Sequence, residues 1–354
     1  MTFHEALALW NDAPLAELMA AADAVRRRLH PDGVVTWQID RNVNITNVCV
    51  SGCKFCSFHC RLADRERAYI TSMDEYRVKI REMLALGGEQ LLLQGGLHPR
   101  LDLAWYEDLF STLKSEFPNV KLHALGPPEI AHIARISGFT ADAEGYWTVL
   151  ERLMAAGLDS LPGAGAEILD NDIRKRISPG KCSADVWLEV MRAAHRLGLH
   201  TSATMMYGHV EKPEHRILHL LKIRDLQSLK SAGAPGFLAF IAWPYQGRGT
   251  VLEAEEGLSG GADVAEFLRM VAVSRLVLNN IPNIQASWLT TGLAAGQMAL
   301  HGGANDMGSI MIEENVVSAT DFSGRTTIDA PRMQEAIRAA GFTPALRNQR
   351  YELL

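Results

Sequence analysis

What is scarce in this 354-residue sequence narrows its function first. Basic residues do not predominate. Against 41 Asp and Glu stand 35 Lys and Arg, a net charge of -6, so no stripe of cations is available to neutralise nucleic-acid phosphates. The one basic run, Arg26-Arg27-Arg28, suits the last turn of a surface helix, where cations oppose the negative end of the dipole. No apolar run reaches bilayer length: Gly236 to Trp243 has the length of a strand, and His4, Glu5, Asp12, Glu17 and Asp23 interrupt the apolar residues of the N-terminus. Neither a membrane nor a nucleic acid is expected as a partner. The five cysteines build no even disulfide framework, and four of them crowd into residues 49 to 60. In a chain of cytoplasmic character such crowding points to metal. Low-complexity linkers are missing too, so residues 1 to 354 read as one domain.

What is present is an alternating pattern. The composition, 47% hydrophobic and 21% charged, supplies a large core. Residues 3 to 30 carry helical spacing at Leu15, Leu18, Met19, Ala22 and Val25 and read as a helical extension, residues 1 to 33. From Val34 onward strand-like and helix-like segments alternate. The strand candidates are Asn42 to Thr46, Gln90 to Gln94, Lys121 to Leu125, Leu158 to Leu161, Thr201 to Met206, Phe237 to Ala242, Asn283 to Ser287 and Gly303 to Asp306. About eight βα units predict an α/β chain folded as a (β/α)8 TIM-type barrel over residues 34 to 310, with a C-terminal extension over 311 to 354. Such a barrel gathers its chemistry where the strands end. The expected ends are rich in carboxylates, aromatics and glycines, among them Gln94-Gly95-Gly96, Pro127-Pro128-Glu129, Gly163 to Glu167, Tyr207-Gly208-His209, Trp243-Pro244-Tyr245 and Asn305-Asp306.

The sharpest signal is Cys49-Val-Ser-Gly-Cys53-Lys-Phe-Cys56. Three thiolates in one compact loop suit a four-iron cluster that keeps one iron free of protein ligands. Structural zinc wants four ligands, which His59 or Cys60 would have to complete, and no second half of a zinc ribbon follows. The Cys-x-x-x-Cys-x-aromatic-Cys spacing after a first strand resembles the radical S-adenosylmethionine superfamily. That resemblance implies a [4Fe-4S] cluster on Cys49, Cys53 and Cys56, with S-adenosyl-L-methionine chelating the open iron and yielding a 5′-deoxyadenosyl radical. It also implies Phe55 beside the adenine and Gln94, Gly95 and Gly96 at the cofactor's amino group. Leu97 stands where the superfamily usually has an acid. Glu167 is expected at the cofactor's ribose, against the alternative of a helix N-terminal carboxylate. From the cationic cluster Arg174 to Lys181, Arg176 is taken as the partner of the cofactor carboxylate. Met206 and Gly208 match the strand that supports the adenine. Cys60 and Cys182 read as spare thiols.

Further stretches are Leu92-Leu-Gln-Gly-Gly96, Ser160-Leu-Pro-Gly-Ala-Gly-Ala-Glu167, Asn283-Ile-Gln-Ala-Ser-Trp288 and Gly303-Ala-Asn-Asp-Met-Gly308. They are similar to the futalosine-pathway and deazaflavin branch of the superfamily, and most of all to the cyclic dehypoxanthinyl futalosine synthase family of menaquinone biosynthesis. The implied activity takes a ribose C4′ hydrogen from dehypoxanthine futalosine and adds the carbon radical to the aromatic ring. The sister families, aminodeoxyfutalosine synthase and the deazaflavin-forming synthase, share most of these motifs. Flavodoxin or ferredoxin is the implied electron donor. His209 and Asp306, followed by Glu313 and Glu314, are expected as catalytic bases or ribose partners, against the alternative that a lone His at a strand end is a hydrogen-bonded structural residue. Arg176, Lys181, Gln285, Ser287 and Asn305 are expected to hold polar groups, and Trp243, Tyr245 and Trp288 to wall the substrate ring or else to lid the barrel core. Anaerobic reconstitution should load about four irons and four sulfides per chain. Alanine at Cys49, Cys53 or Cys56 should abolish loading, while alanine at Cys60 or Cys182 leaves it intact; one zinc per chain would contradict the assignment.

Overall fold

In a computed structural model of the chain, residues 1–320, 324 and 326–354 are described. Ten strands form one parallel sheet: β1 (Val34–Gln38), β2 (Asp40–Asn44), β3 (Gln90–Gln94), β4 (Lys121–Ala124), β5 (Leu158–Leu161), β6 (His200–Tyr207), β7 (Phe237–Pro244), β8 (Asn283–Gln285), β9 (Asp306–Ser309) and β10 (Thr343–Leu346). Helices cross between them, and the sequence marks where many begin. Ser72, Asp102, Asp142, Ser183 and Asp263 are N-caps whose side chains accept hydrogen bonds from first-turn N–H groups. Among the described residues no helix is long and apolar enough to cross a membrane.

The strand order is β10-β1-β9-β8-β7-β6-β5-β4-β3-β2. The sheet curls so that residues from β2 through β9 face a common interior. β1 and β2 are one stretch of chain interrupted only by Ile39. Its first half pairs with β9 and β10, and its second half pairs with β3. A single bent segment thus closes the ring, which retains the eight strands expected of a barrel. Asp40 holds the bend. It accepts hydrogen bonds from Ser309 Oγ, from Gln38 Nε2 at 2.9 Å and from Gln90 Nε2 at 3.3 Å. Burial pushes its carboxyl up from the usual range, and the Ser309 and Gln38 bonds oppose that rise.

Four details differ from the sequence expectation. The N-terminal helix is two helices, Phe3–Asp12 and Leu15–Leu29, because Pro14 stands at the start of the second and lacks the N–H that a continuous helix needs. A helix at Pro127–Ile136 follows β4 where only a strand end was expected; its two leading prolines suit a first turn. β9 begins at Asp306 instead of ending there, so Asp306 lies at the foot of the barrel. The C-terminal extension also enters the barrel architecture. After the helix Ala330–Ala339, β10 pairs with β1 in parallel, and the tail beyond it turns under the barrel floor.

Arg347 anchors that tail. Its Nε donates to Asp306 Oδ2 at 2.6 Å and its Nη2 to Asp306 Oδ1 at 3.1 Å, while Thr36 Oγ1 donates to the same carboxylate at 2.5 Å. Both side chains are almost wholly buried. Burial works against the Arg347 charge, but Asp306 outweighs it and raises the pKa. Removing one partner strands the other charge in a dry interior. Arg347→Met is expected to cost about 3–5 kcal/mol of stability in urea unfolding. A loss below about 1 kcal/mol would show that the tail does not hold the floor.

Candidate active site

The upper ends of the strands surround a cavity of about 420 Å³, a volume typical of small-molecule sites. Cys49, Cys53 and Cys56 line one side of it, and Gln94, His123, Ser202, Trp243 and Gln285 line its walls and floor.

The cysteine loop leaves β2 through a clamp. Thr46 Oγ1 donates to the Tyr69 carbonyl at 2.6 Å, Asn47 Nδ2 donates to the Arg67 carbonyl at 2.8 Å, and the Tyr69 N–H returns a bond to Asn47 Oδ1 at 3.0 Å. The segment from 60 to 71 is thereby tied to the strand end. Ser51 Oγ sits 2.9 Å from Cys49 Sγ and 3.2 Å from Cys53 Sγ, and the Leu97 N–H donates to Cys49 Sγ at 3.2 Å. Gly96 makes this approach possible: a Cβ there would lie 2.2 Å from the Val48 carbonyl oxygen. The glycine pair read as backbone room for a ligand is therefore first of all room for the cysteine loop.

The donor set fits a cluster better than a single ion. Among the described residues no three His, Cys, Asp or Glu side chains converge closely enough to hold one metal ion. His59 Nδ1 lies 2.8 Å from the Cys56 carbonyl, and Cys60 is buried behind the loop, outside the cavity lining. Three sulfurs along one wall would suit three irons of a [4Fe-4S] cluster and would leave the fourth iron without a protein ligand. Burial pushes the Cys53 thiol up to about 11, so iron binding there displaces a proton.

Gly163 to Glu167 turn out of β5. Glu167 adopts a left-handed backbone (φ 45°), as does Met311 (φ 53°), and both line the cavity. Such conformations cost about 1–3 kcal/mol and gather at functional sites. Arg174 holds this turn from behind, donating to the Gly165 carbonyl at 3.0 Å and the Ala166 carbonyl at 2.6 Å. Glu167 accepts from Lys181 Nζ at 2.6 Å. Lys181 lies 5.1 Å from the centre of the Phe55 ring. Burial works against its ammonium, yet Cys53 and Glu167 outweigh it and raise the pKa.

Several expectations are corrected here. Arg176 does not reach the cavity. On the helix Asn171–Ile177 it points outward and pairs with Glu256 at 2.5 Å. Pro179-Gly180 then turns the chain back against Ser51, where a Cβ on Gly180 would lie 2.6 Å from the Ser51 carbonyl oxygen, and Lys181 becomes the cation of the site. His209 is sealed away: Nε2 lies 3.1 Å from the Met206 carbonyl oxygen, and Nδ1 lies 2.8 Å from the Val210 nitrogen and 3.0 Å from Glu211 Oε2. Gly208 donates its N–H to Glu211 and stays outside the lining, whereas Met206 is within it. Asp306 is spent on Arg347 below the cavity.

Glu313 pairs with Arg41 and Lys79, and Glu314 caps Val316 and Val317. Ser287 and Asn305 bond to Ala242 and Arg275, and Tyr245 and Trp288 bond to Thr250 and Ser309; none of the four lines the cavity. Phe55, Gln94, Gly95, Gly96, Glu167, Trp243 and Gln285 do. Sequence reasoning left Glu129, Asp40 and His123 without a role, yet all three line it as well. Glu129 sits in the first turn after β4, and burial raises its carboxyl pKa. An acid thus reaches the cavity from the strand beside β3, signalled in the sequence only by the Pro-Pro-Glu turn.

The family model of the radical SAM superfamily matches residues 43–223, and that of the CofH/MqnC C-terminal region matches residues 234–354. The chain is similar to the cyclic dehypoxanthine futalosine synthase of Streptomyces coelicolor, 43% identical over 100% of this chain and 86% of that protein. It is also similar to the 5-amino-6-(D-ribitylamino)uracil–L-tyrosine 4-hydroxyphenyl transferase of Archaeoglobus fulgidus, 38% identical over 96% of this chain and 94% of that protein. Among solved structures, methylornithine synthase shares the fold, with a TM-score of 0.72 at 19% identity over 98% of this chain and 94% of that chain.

Lys181 and Arg176 make opposite predictions for cofactor binding. Lys181→Met is expected to weaken S-adenosylmethionine affinity roughly tenfold to a hundredfold, the value of one charge-assisted bond. Arg176→Met should change it by less than about twofold, as befits an exposed ion pair. Equilibrium dialysis on the reconstituted protein reads both, and the reverse ranking would reinstate Arg176.

Proposed function

The chain belongs to the radical SAM superfamily, and from that membership we propose that it converts dehypoxanthine futalosine into cyclic dehypoxanthinyl futalosine in menaquinone biosynthesis. The observation that carries this reading is a cavity flanked by the cysteine loop and lined deeper in by neutral amides and an imidazole. Identity of 43% along the whole chain to the Streptomyces coelicolor synthase supports it. Bound there, the [4Fe-4S] cluster and S-adenosylmethionine supply a 5′-deoxyadenosyl radical.

The protein's own part is placement. Cys49, Cys53 and Cys56 would hold the cluster, and Lys181 would meet the cofactor carboxylate. Gly95, Gly96 and Gln94 receive its amino group, aided by Glu129. Glu167 accepts from its ribose hydroxyls, with Phe55 and Met206 beside the adenine. Met311, Val316 and Val317 line the cavity and keep water from the reacting carbon. Trp243 reaches in from the end of β7 and offers a face to the benzoate ring. The C4′ hydrogen atom of the substrate would pass to the 5′-deoxyadenosyl radical, C4′ would bond to the ring, and the ring would regain aromaticity by losing a proton to water and an electron to the oxidised form of the electron-donor protein. The chain works in the cytoplasm as a single barrel domain and takes its electrons from a flavodoxin or ferredoxin.

The hydroxyphenyl-transferase reading rests on the Archaeoglobus fulgidus relative at 38% identity. Incubation of the reconstituted protein with dehypoxanthine futalosine and reductant decides between the two. The expected outcome is a cyclised product with one 5′-deoxyadenosine per turnover. Turnover of tyrosine with the ribitylaminouracil instead would sink the cyclase reading.

A further inference from the structure

The floor of the cavity holds a histidine that the cofactor contacts do not use. His123 is the third residue of β4 and its ring faces the barrel interior, lining both the main cavity and the small space beneath it. Its Nδ1 lies 2.6 Å from Ser160 Oγ, and Ser160 Oγ donates to Gln349 Oε1 at 2.9 Å. A hydroxyl has one hydrogen. Ser160 gives its hydrogen to Gln349, so toward His123 its oxygen only accepts, and Nδ1 carries the imidazole proton. Nε2 is then a bare lone pair. Among the described residues it has no hydrogen-bond partner, and the ring lines the cavity.

The surroundings keep this ring neutral. Burial, with the Arg347 guanidinium nearby, pushes the imidazole down to about 3. A neutral acceptor repels a carboxylate and has nothing to offer a carbonyl. It takes the hydrogen of a hydroxyl. The side groups around it agree, since Gln90, Ser202 and Gln285 are uncharged and Lys181, the cation of the cavity lining, belongs to the cofactor end.

We propose that His123 Nε2 accepts a hydrogen bond from a ribose hydroxyl of the substrate. In doing so it fixes which ribose carbon faces the radical, and Ser160 and Gln349 act as positioning residues that set its tautomer. This rests on the substrate reading above. The C-terminal tail, 189 residues along the chain from Ser160, therefore reaches into substrate recognition without touching substrate.

Equilibrium binding to the reconstituted protein tests this without requiring turnover, using dehypoxanthine futalosine and its 2′-deoxy and 3′-deoxy analogues. The wild-type protein should lose at least about a hundredfold in affinity for one of the two analogues, because a site built for a hydroxyl rejects its absence. His123→Ala should bind the parent as weakly as the wild type binds that analogue, and should no longer tell the two apart. His123→Gln, which retains an acceptor, should recover part of the preference. Ser160→Ala should lower the preference while iron content and cofactor affinity stay normal. Unchanged discrimination in a folded, iron-loaded His123→Ala protein would overturn the proposal alone. Failure of the wild type to bind the parent would overturn the substrate reading and this proposal with it.

Discussion

Closing the ring with one bent strand is the constraint on which the rest of this molecule depends. β1 gives its edges to β9 and β10, while β2, one residue further on, gives its edge to β3. Backbone pairing alone leaves a gap at that step. Asp40 fills it by bonding to Ser309, Gln38 and Gln90, and the Ile310 N–H donates to the Gln38 carbonyl at 3.1 Å. Below the step, the Arg347–Asp306 pair fastens the C-terminal tail to β1 and β9. A buried ion pair of this kind is costly to desolvate, and its gain is geometric: it fixes one register among several.

The cysteine loop inherits its position from that closure. It starts at the end of β2, rests on Gly96 of the neighbouring strand end and is braced from the far side by Gly180 and the Lys54 N–H, which donates to the Ile177 carbonyl at 2.8 Å. Glycines at these contacts let the neighbouring backbones close on Val48 and Ser51 of the loop. Lys181 follows Gly180 directly, so the turn that supports the loop also delivers the cation. Support and chemistry thus come from adjacent residues.

Much of this was legible in the sequence. The cysteine spacing, the strand-end glycines and the βα alternation are local signals, carried by residues close together in the chain and by the period of their hydrophobic pattern. Errors arose where a side chain's partner is distant. Arg176 looked suitable because Arg suits carboxylates, but helical phase turns it outward to Glu256. His209 looked like a base until its own loop closed over both ring nitrogens. A shift of three residues in β9 moved Asp306 from the mouth of the barrel to its foot, where Arg347 neutralises it.

The three cysteines illustrate the division. By itself the sequence determined the kind of chemistry, since ligand type and spacing within one loop select an iron–sulfur cluster, and it determined the alternating architecture. Only the tertiary structure decided which charges face the cavity, which histidine is open and which is sealed, and that the tail completes the floor. The reason is physical. Spacing fixes what neighbours in the chain can bind together, whereas the burial and pairing of a polar group are set by whatever the fold brings against it from elsewhere.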